Sequence, residues 1–123
     1  MKRLSKVLAL LLVLLALGGC HAFYGGTRDS GENRLEMEYS VLNTLDQEIF
    51  KLRAGDVVLG DIVNESGTLR VTVKPVGGEP IYEDLDAATG HIEVEVEESG
   101  SYWVQVEGQN AKGSVRFTVR EGK

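Results

Sequence analysis

The chain is poor in the residues that carry most protein chemistry. Its 123 residues include one cysteine, two histidines, two prolines and one tryptophan. The single cysteine, Cys20, excludes an internal disulfide, a zinc site built on cysteine pairs and dithiol redox chemistry. Ser66, Ser99 and Ser101 fall in predicted turns without a nucleophile motif around them. We therefore expect a protein that is not an enzyme and that carries no cofactor.

Positive charge is also scarce, and part of it lies at the amino terminus. Lys2, Arg3 and Lys6 precede an apolar run at residues 7–17; without these three, ten Lys and Arg face 19 Asp and Glu, a formal charge of −9. A nucleic-acid surface needs a basic footprint, so a nucleic-acid partner is not expected. Attraction of the folded part to anionic lipid is not expected either.

The first 19 residues have the order of a secretory signal: positive charge, an apolar core, then small residues. Helical residues over 7–17 would rise about 16 Å. That length is roughly half of the 30 Å needed to cross a hydrocarbon core, which favours a signal peptide over a spanning helix.

The stretch Leu17-Gly18-Gly19-Cys20 closes this run. It resembles the lipobox of bacterial lipoproteins. The resemblance implies cleavage before Cys20, a diacylglyceryl thioether on its sulfur and acylation of the new amino terminus with chains such as palmitate. Two or more chains hold a protein stably on a membrane. Because His21 rather than Asp follows, the resemblance favours the outer membrane if the cell has one. We expect an exported protein anchored to the membrane through Cys20.

Composition divides the chain into three parts: a signal peptide at 1–19, the lipidated Cys20 with a flexible tether at 20–33, and a β domain at 34–120. The tether is predicted from its glycines and polar residues, and would reach roughly 20 Å.

Apolar and polar residues alternate with period two at positions 35–41, 69–73, 92–96, 102–106 and 115–119. This alternation indicates half-buried strands. Glycine-containing turns are predicted at 65–67 and 108–113. The pattern predicts an all-β fold, an antiparallel sandwich of about seven to eight short strands, after the signal helix and the tether.

The carboxyl-terminal part resembles two β-sandwich families. Glu98-x-Gly100-x-Tyr102-x-Val104 resembles the end of an immunoglobulin-type domain, in which Tyr102 would make a corner hydrogen bond and Val104 stands where that family has cysteine. The order of turns and strands over 52–119 is also similar to GOLD-type sandwiches. Both resemblances imply binding or adaptor work.

We expect no metal site; if a metal ion bound, His91 and Glu93 would be the best candidates for its ligands. Two positions apart on a strand, they share a face at about 7 Å. The alternative is a solvent-facing row of charges that discourages edge-to-edge pairing, since Glu95 and Glu97 continue it.

Trp103 and Arg116 are the candidate partner-binding residues. Trp103 lies between the inward-facing Tyr102 and Val104 and should therefore point outward. In a simple final hairpin it would lie opposite Thr118, with Arg116 on a diagonal. It either packs under an arginine or is exposed for a protein or glycan partner.

We interpret the chain as a membrane-anchored, non-catalytic binding module of the cell envelope. Two alternatives remain open at this point. The chain could be an accessory or structural subunit of an envelope complex, or a small metal-binding protein or enzyme.

Overall fold

The computed structural model describes residues 23–122. The predicted signal peptide with Leu17, Gly18 and Gly19, and the predicted lipid site at Cys20, lie outside the described residues. Over the described range the chain forms seven strands: β1 (Phe23–Gly31), β2 (Arg34–Asn43), β3 (Leu45–Leu52), β4 (Val57–Pro75), β5 (Tyr82–Asp84), β6 (Gly90–Glu95) and β7 (Gly100–Arg120). Within it, no helix is long and apolar enough to cross a membrane.

The two longest strands, β4 and β7, pair antiparallel along nearly their whole length, from Val57 opposite Arg120 to Pro75 opposite Tyr102. Every other strand adds to one half of this pair. In one half β6 pairs with β4 and β2 pairs with β7, with β1 on the outer edge of β2; we refer to this half as the first layer. The other half is flanked by β5 on β4 and by β3 on β7, and is the second layer. The predicted all-β, antiparallel sandwich is confirmed.

Bulges bend the two long strands where they pass from one layer to the other. In β4 the register shifts between Asn64 and Thr68, and Gly67 has φ +77°. Asn110 in β7, close to this bend, has φ +50°. Strands that change layers at a corner use such bulges. The turns predicted at 65–67 and 108–113 are therefore wrong, because these residues bend a continuous strand instead of ending one.

The domain begins earlier than predicted. Residues 23–31, expected to be a flexible tether, form β1 and pair with β2 from Phe23 opposite Asn43 to Gly31 opposite Arg34. The prediction was wrong here because β1 is an edge strand with few apolar side chains, held mainly by its backbone. β1 therefore begins three residues after Cys20.

Among residues 23–122, one hydrophobic core lies between the layers. Both layers contribute to it, so they face one another across the core. The Tyr102 hydroxyl donates to the Glu98 carbonyl oxygen at 2.6 Å, which is the corner hydrogen bond that the resemblance implied. The fully buried residues include Leu35, Leu42, Val58, Val115 and Phe117, together with Phe50, Leu69, Val71, Val73, Val104 and Val106.

Side chains of the β1–β2 hairpin close the sandwich against β3. The Asn33 amide donates to the Lys51 carbonyl oxygen at 2.9 Å and accepts from the Lys51 amide at 2.8 Å. Arg28 forms ion pairs with Asp46 at 2.9 Å and Glu48 at 2.8 Å. These contacts occupy the edge of β3 that does not pair with β7, which protects it from pairing with another chain.

Candidate ligand-binding face

Trp103 lies on the outer face of the second layer, in the amino-terminal half of β7. Ile49 of β3 is paired with it on one side and Lys74 of β4 on the other. Its chain neighbours Tyr102 and Val104 are buried, whereas Trp103 is half-buried. The outward direction predicted for Trp103 agrees with this position.

The neighbours predicted for Trp103 are wrong. Because β7 is one continuous strand, no hairpin folds Thr118 back onto Trp103. Arg116 lies in the other half of β7, in the first layer, where it is opposite Glu36 and Asp61. The two residues predicted to form one partner-binding site therefore lie on different layers.

Two exposed apolar side chains lie near Trp103 on the outer face. Ile49 is 41% exposed, and Val76 is 51% exposed. The Val76 amide donates to the Ser101 carbonyl oxygen at 3.0 Å, which continues the pairing of β4 with β7 by one residue. Val76 is thereby diagonal to Trp103. We refer to Ile49, Trp103 and Val76, with the residues beside them described next, as the Trp103 face.

Two lysines flank this apolar group. Lys74 is paired with Trp103, and Lys51 lies next to Ile49 along the alternating face of β3. Five arginines of the described chain are ion-paired, but neither lysine has a carboxylate within ion-pair distance among residues 23–122. Their ammonium groups are available to a ligand.

A small depression lies beside Trp103, with a volume of about 180 Å³. Thr72 and Gln105, which are paired across β4 and β7, form part of it. Thr72 is only 6% exposed, and its hydroxyl makes no hydrogen bond to another described residue. The Gln105 amide donates to the Gln47 side-chain oxygen at 2.9 Å. The remaining lining residues are Leu45, Arg70, Lys74, Pro80, Glu83 and Glu107.

On the outer face of the first layer, the positively charged side chains lie against carboxylates. Arg116 contacts Glu36 at 3.0 Å. The ring nitrogens of His91 lie at hydrogen-bond distance from two carboxylate oxygens, Nδ1 at 2.8 Å from Asp61 and Nε2 at 3.1 Å from Glu93. The carboxylates of Asp61 and then Glu93, which accept hydrogen bonds from the imidazole, raise the pKa of His91. Arg120 at 3.0 Å, and then His91, lower the pKa of the Glu93 carboxyl.

This arrangement does not favour a metal ion at the predicted candidates His91 and Glu93. Both imidazole nitrogens are engaged by carboxylates, so neither is free to coordinate. Among the described residues, no group of three potential ligands is placed to hold a metal ion.

A wide cleft of about 960 Å³ lies at one end of the sandwich, between the β1–β2 turn, the end of β3 and the last described residues. Asp56 in its wall accepts from the amides of Arg53 at 2.8 Å and Gly122 at 3.0 Å. These backbone donors, that of Arg53 first, lower the pKa of the Asp56 carboxyl. The contacts tie the carboxyl-terminal segment to the β3–β4 turn, which is a structural role.

Sequence reasoning identified Trp103 but missed Ile49, Thr72 and Lys74. They come from strands β3 and β4, whose pairing with β7 is long-range. One signal was present in the sequence: Trp103 and Gln105 are uncharged residues at outward positions, where β6 has His91, Glu93 and Glu95.

No known protein family and no curated protein matches the chain. Among solved structures, Drosophila melanogaster CENP-C bound to CAL1 is similar with a TM-score of 0.40 and 10% identity, over 94% of this chain and 99% of that chain. The Drosophila melanogaster CENP-C cupin domain is similar with a TM-score of 0.39 and 9% identity, over 81% of each chain. At this level of similarity, neither structure carries an inference about function.

Proposed function

We propose that this protein is a lipid-anchored, non-catalytic binding module of a bacterial cell envelope, and that it contacts its ligand through the Trp103 face. The observation that carries the proposal is the contrast between the two outer faces. On the first layer Arg116, Arg120 and His91 are paired with carboxylates. On the second layer Ile49 and Val76 are exposed around the half-buried Trp103, beside Lys51 and Lys74, which have no ion pair among residues 23–122. Exposed apolar groups rimmed by polar residues are typical of interaction sites.

The anchor is supported by the sequence Leu17-Gly18-Gly19-Cys20. Because β1 begins at Phe23, the backbone from Cys20 to the sheet spans at most about 10 Å. A lipid on Cys20 would therefore hold the sandwich close to the bilayer. The ligand would then lie at the membrane surface and not at the end of a long tether.

The anchor is tested by intact mass and detergent partition of the native protein beside the Cys20→Ala variant. We expect the native chain to lose residues 1–19, to gain the mass of acyl chains and to enter the detergent phase. The variant should do none of these. A native chain without acyl mass would contradict the anchor and leave the binding proposal to be judged separately.

The face is tested by placing the photocrosslinker benzoyl-phenylalanine at Ile49 in cells. Val63 provides a matched control, since it is an outward residue of the first layer with 45% exposure against 41% for Ile49. We expect a specific adduct from position 49 and none from position 63. Equal adducts from both positions, or none from either, would contradict the proposal. An adduct in every molecule would favour the alternative of a permanent complex subunit.

A further inference from the structure

We propose that the ligand of the Trp103 face is a neutral saccharide, with one sugar ring against Trp103 and hydroxyls of the neighbouring ring in the depression floored by Thr72. This inference rests on the proposed function and names the chemical class of its ligand. It is carried by the lining of the depression, the charge balance around it and the position of Trp103 at its side.

The Thr72 hydroxyl is the first argument. Thr72 is buried to more than nine-tenths, and polar groups that are this deeply buried normally have a hydrogen-bond partner. No other described residue provides one, and the oxygen is not fully enclosed, so it opens into the depression. A hydroxyl can donate and accept at once, which matches the hydroxyls of a sugar.

The charge balance is the second argument. Arg70 and Lys74 lie on the rim with Glu83 and Glu107, so the lining carries no net charge. Arg70 contacts Glu107 at 3.4 Å. The carboxylates would repel an acidic peptide, and the cations would repel a basic one. Ammonium donors and carboxylate acceptors side by side suit a neutral ligand whose groups both donate and accept.

An apolar surface lies next to the depression. Trp103 is flanked by Ile49 on β3 and lies diagonal to Val76. The face of an aromatic ring carries partial negative charge and attracts the weakly positive C–H groups of a second ring placed against it. A sugar ring has such a C–H face as well as its hydroxyls, so it can use Trp103 and the depression together.

The size of the depression limits the ligand. Its volume of about 180 Å³ is below the roughly 300–1,000 Å³ of pockets that enclose drug-sized molecules. It therefore accommodates part of an oligosaccharide, and the remainder must lie along the open face. We expect trisaccharides to bind better than monosaccharides, because only the longer chain reaches both Trp103 and Thr72.

Trp103 allows a direct test because it is the only tryptophan in the chain. The full-length protein is purified from membranes in a detergent without sugar headgroups and titrated with cellotriose, maltotriose and chitotriose. An array of neutral and acidic glycans extends the panel. We expect a saturable change in tryptophan fluorescence with at least one neutral glycan. Calorimetry should show this binding lost in Trp103→Ala.

Two threonine variants provide the matched comparison. Thr72→Val removes the hydroxyl and keeps the shape of the side chain, and should weaken glycan binding about three- to tenfold. Thr118→Val makes the same change on the same strand pair in the first layer, and should leave affinity unchanged. Circular dichroism and unfolding midpoints establish that both variants are folded.

The outcomes separate the inference from the proposed function. If no neutral glycan binds, or only acidic glycans bind, the saccharide proposal is overturned. The binding-face proposal then survives if position 49 still crosslinks a defined protein and position 63 does not. Equal weakening by Thr72→Val and Thr118→Val would also overturn the assignment of the depression.

Discussion

Two tyrosines of the sandwich have hydroxyls in different surroundings. The Tyr102 hydroxyl donates to the Glu98 carbonyl oxygen at 2.6 Å. The Tyr39 hydroxyl is buried and makes no hydrogen bond to any residue in the described range. Burial raises the pKa of Tyr39 to about 12. The Tyr102 hydroxyl is therefore expected to stabilise the fold, and the Tyr39 hydroxyl is expected to destabilise it.

Substitution of each tyrosine by phenylalanine measures this difference. Tyr102→Phe should lower the free energy of unfolding by about 1 kcal/mol, because it removes a hydrogen bond. Tyr39→Phe should leave it unchanged or raise it by up to about 1–2 kcal/mol, because it removes an unpaired buried hydroxyl. Denaturant unfolding of the two variants decides the matter. A larger loss at Tyr39 than at Tyr102 would contradict this account.

Asp56 is expected to make stability depend on pH in the acidic range. Its pKa is lowered in the folded state by the amides of Arg53 and Gly122. The stabilisation is therefore present above the unfolded pKa of about 3.9 and is lost as the pH falls through the folded value. Asp56→Asn should lower the unfolding midpoint most near neutral pH, and the gap to the native chain should narrow as the solution is acidified.

Asp86→Asn is the control for this experiment. The Asp86 side chain is exposed and makes no hydrogen bond or ion pair within the part of the chain that the structure covers. Its substitution should leave the dependence of the unfolding midpoint on pH as it is in the native chain. If the difference in unfolding midpoint between Asp56→Asn and the native chain stayed constant with pH, the effect of the substitution would not be electrostatic.

At the residue scale, alternation was enough to predict which way Trp103 points but not what it touches. The direction follows from its immediate neighbours, Tyr102 and Val104, which are buried. The pairing of Trp103 with Ile49 and Lys74 depends on which strands lie beside β7. That pairing is set by the bends of β4 and β7, and local apolar patterns do not specify it.

At the scale of elements, the residues that bend a strand were read as residues that end one. Glycine and asparagine are common both in turns that end a strand and in bulges that bend one, because each tolerates positive φ. Around Gly67 and Asn110 the backbone adopts φ of +77° and +50° while the ladder between β4 and β7 continues on both sides. Sequence alone does not distinguish a bulge from a turn when alternation resumes after either.

Gly67→Ala tests the role of the bend, with Gly77→Ala as its control. Both glycines have φ near +80°, so both substitutions carry a backbone cost of about 1–2 kcal/mol. An added Cβ at Gly67 would lie 2.2 Å from the Asn110 carbonyl oxygen, whereas at Gly77 it would meet nothing within 4 Å. Gly67→Ala should therefore be the more destabilising in urea unfolding. If both variants lost the same free energy of unfolding, β4 and β7 would be able to move apart at the bend without cost.

β1 was missed for a related reason. An edge strand that is held by its backbone has no need of an apolar face, and the glycines and polar residues of 23–31 resemble a linker in composition. Arg28 and Asn33 nevertheless give this hairpin specific contacts with β3. Composition distinguishes a linker from a strand poorly when the strand is exposed.

At the scale of the molecule, the two layers share their central strands. β4 and β7 run through both, and the buried residues of each layer belong to one cluster. If one layer opened, it would pull apart the pair that forms the centre of the other. We therefore expect one cooperative unfolding transition, although the sandwich has two layers joined by bends.

Two local probes can test this cooperativity. Fluorescence of Trp103 reports on the second layer, and amide exchange at Leu35 and Phe117 reports on the first. A core truncation in either layer, Val58→Ala in the first or Val104→Ala in the second, should cost about 1–3 kcal/mol. Each truncation should lower the free energy of unfolding by the same amount at both probes, because a two-state chain has a single free energy of unfolding. If Val58→Ala moved exchange at Leu35 and left the Trp103 transition in place, the layers would unfold separately. The bends in β4 and β7 would then be hinges between two folding units.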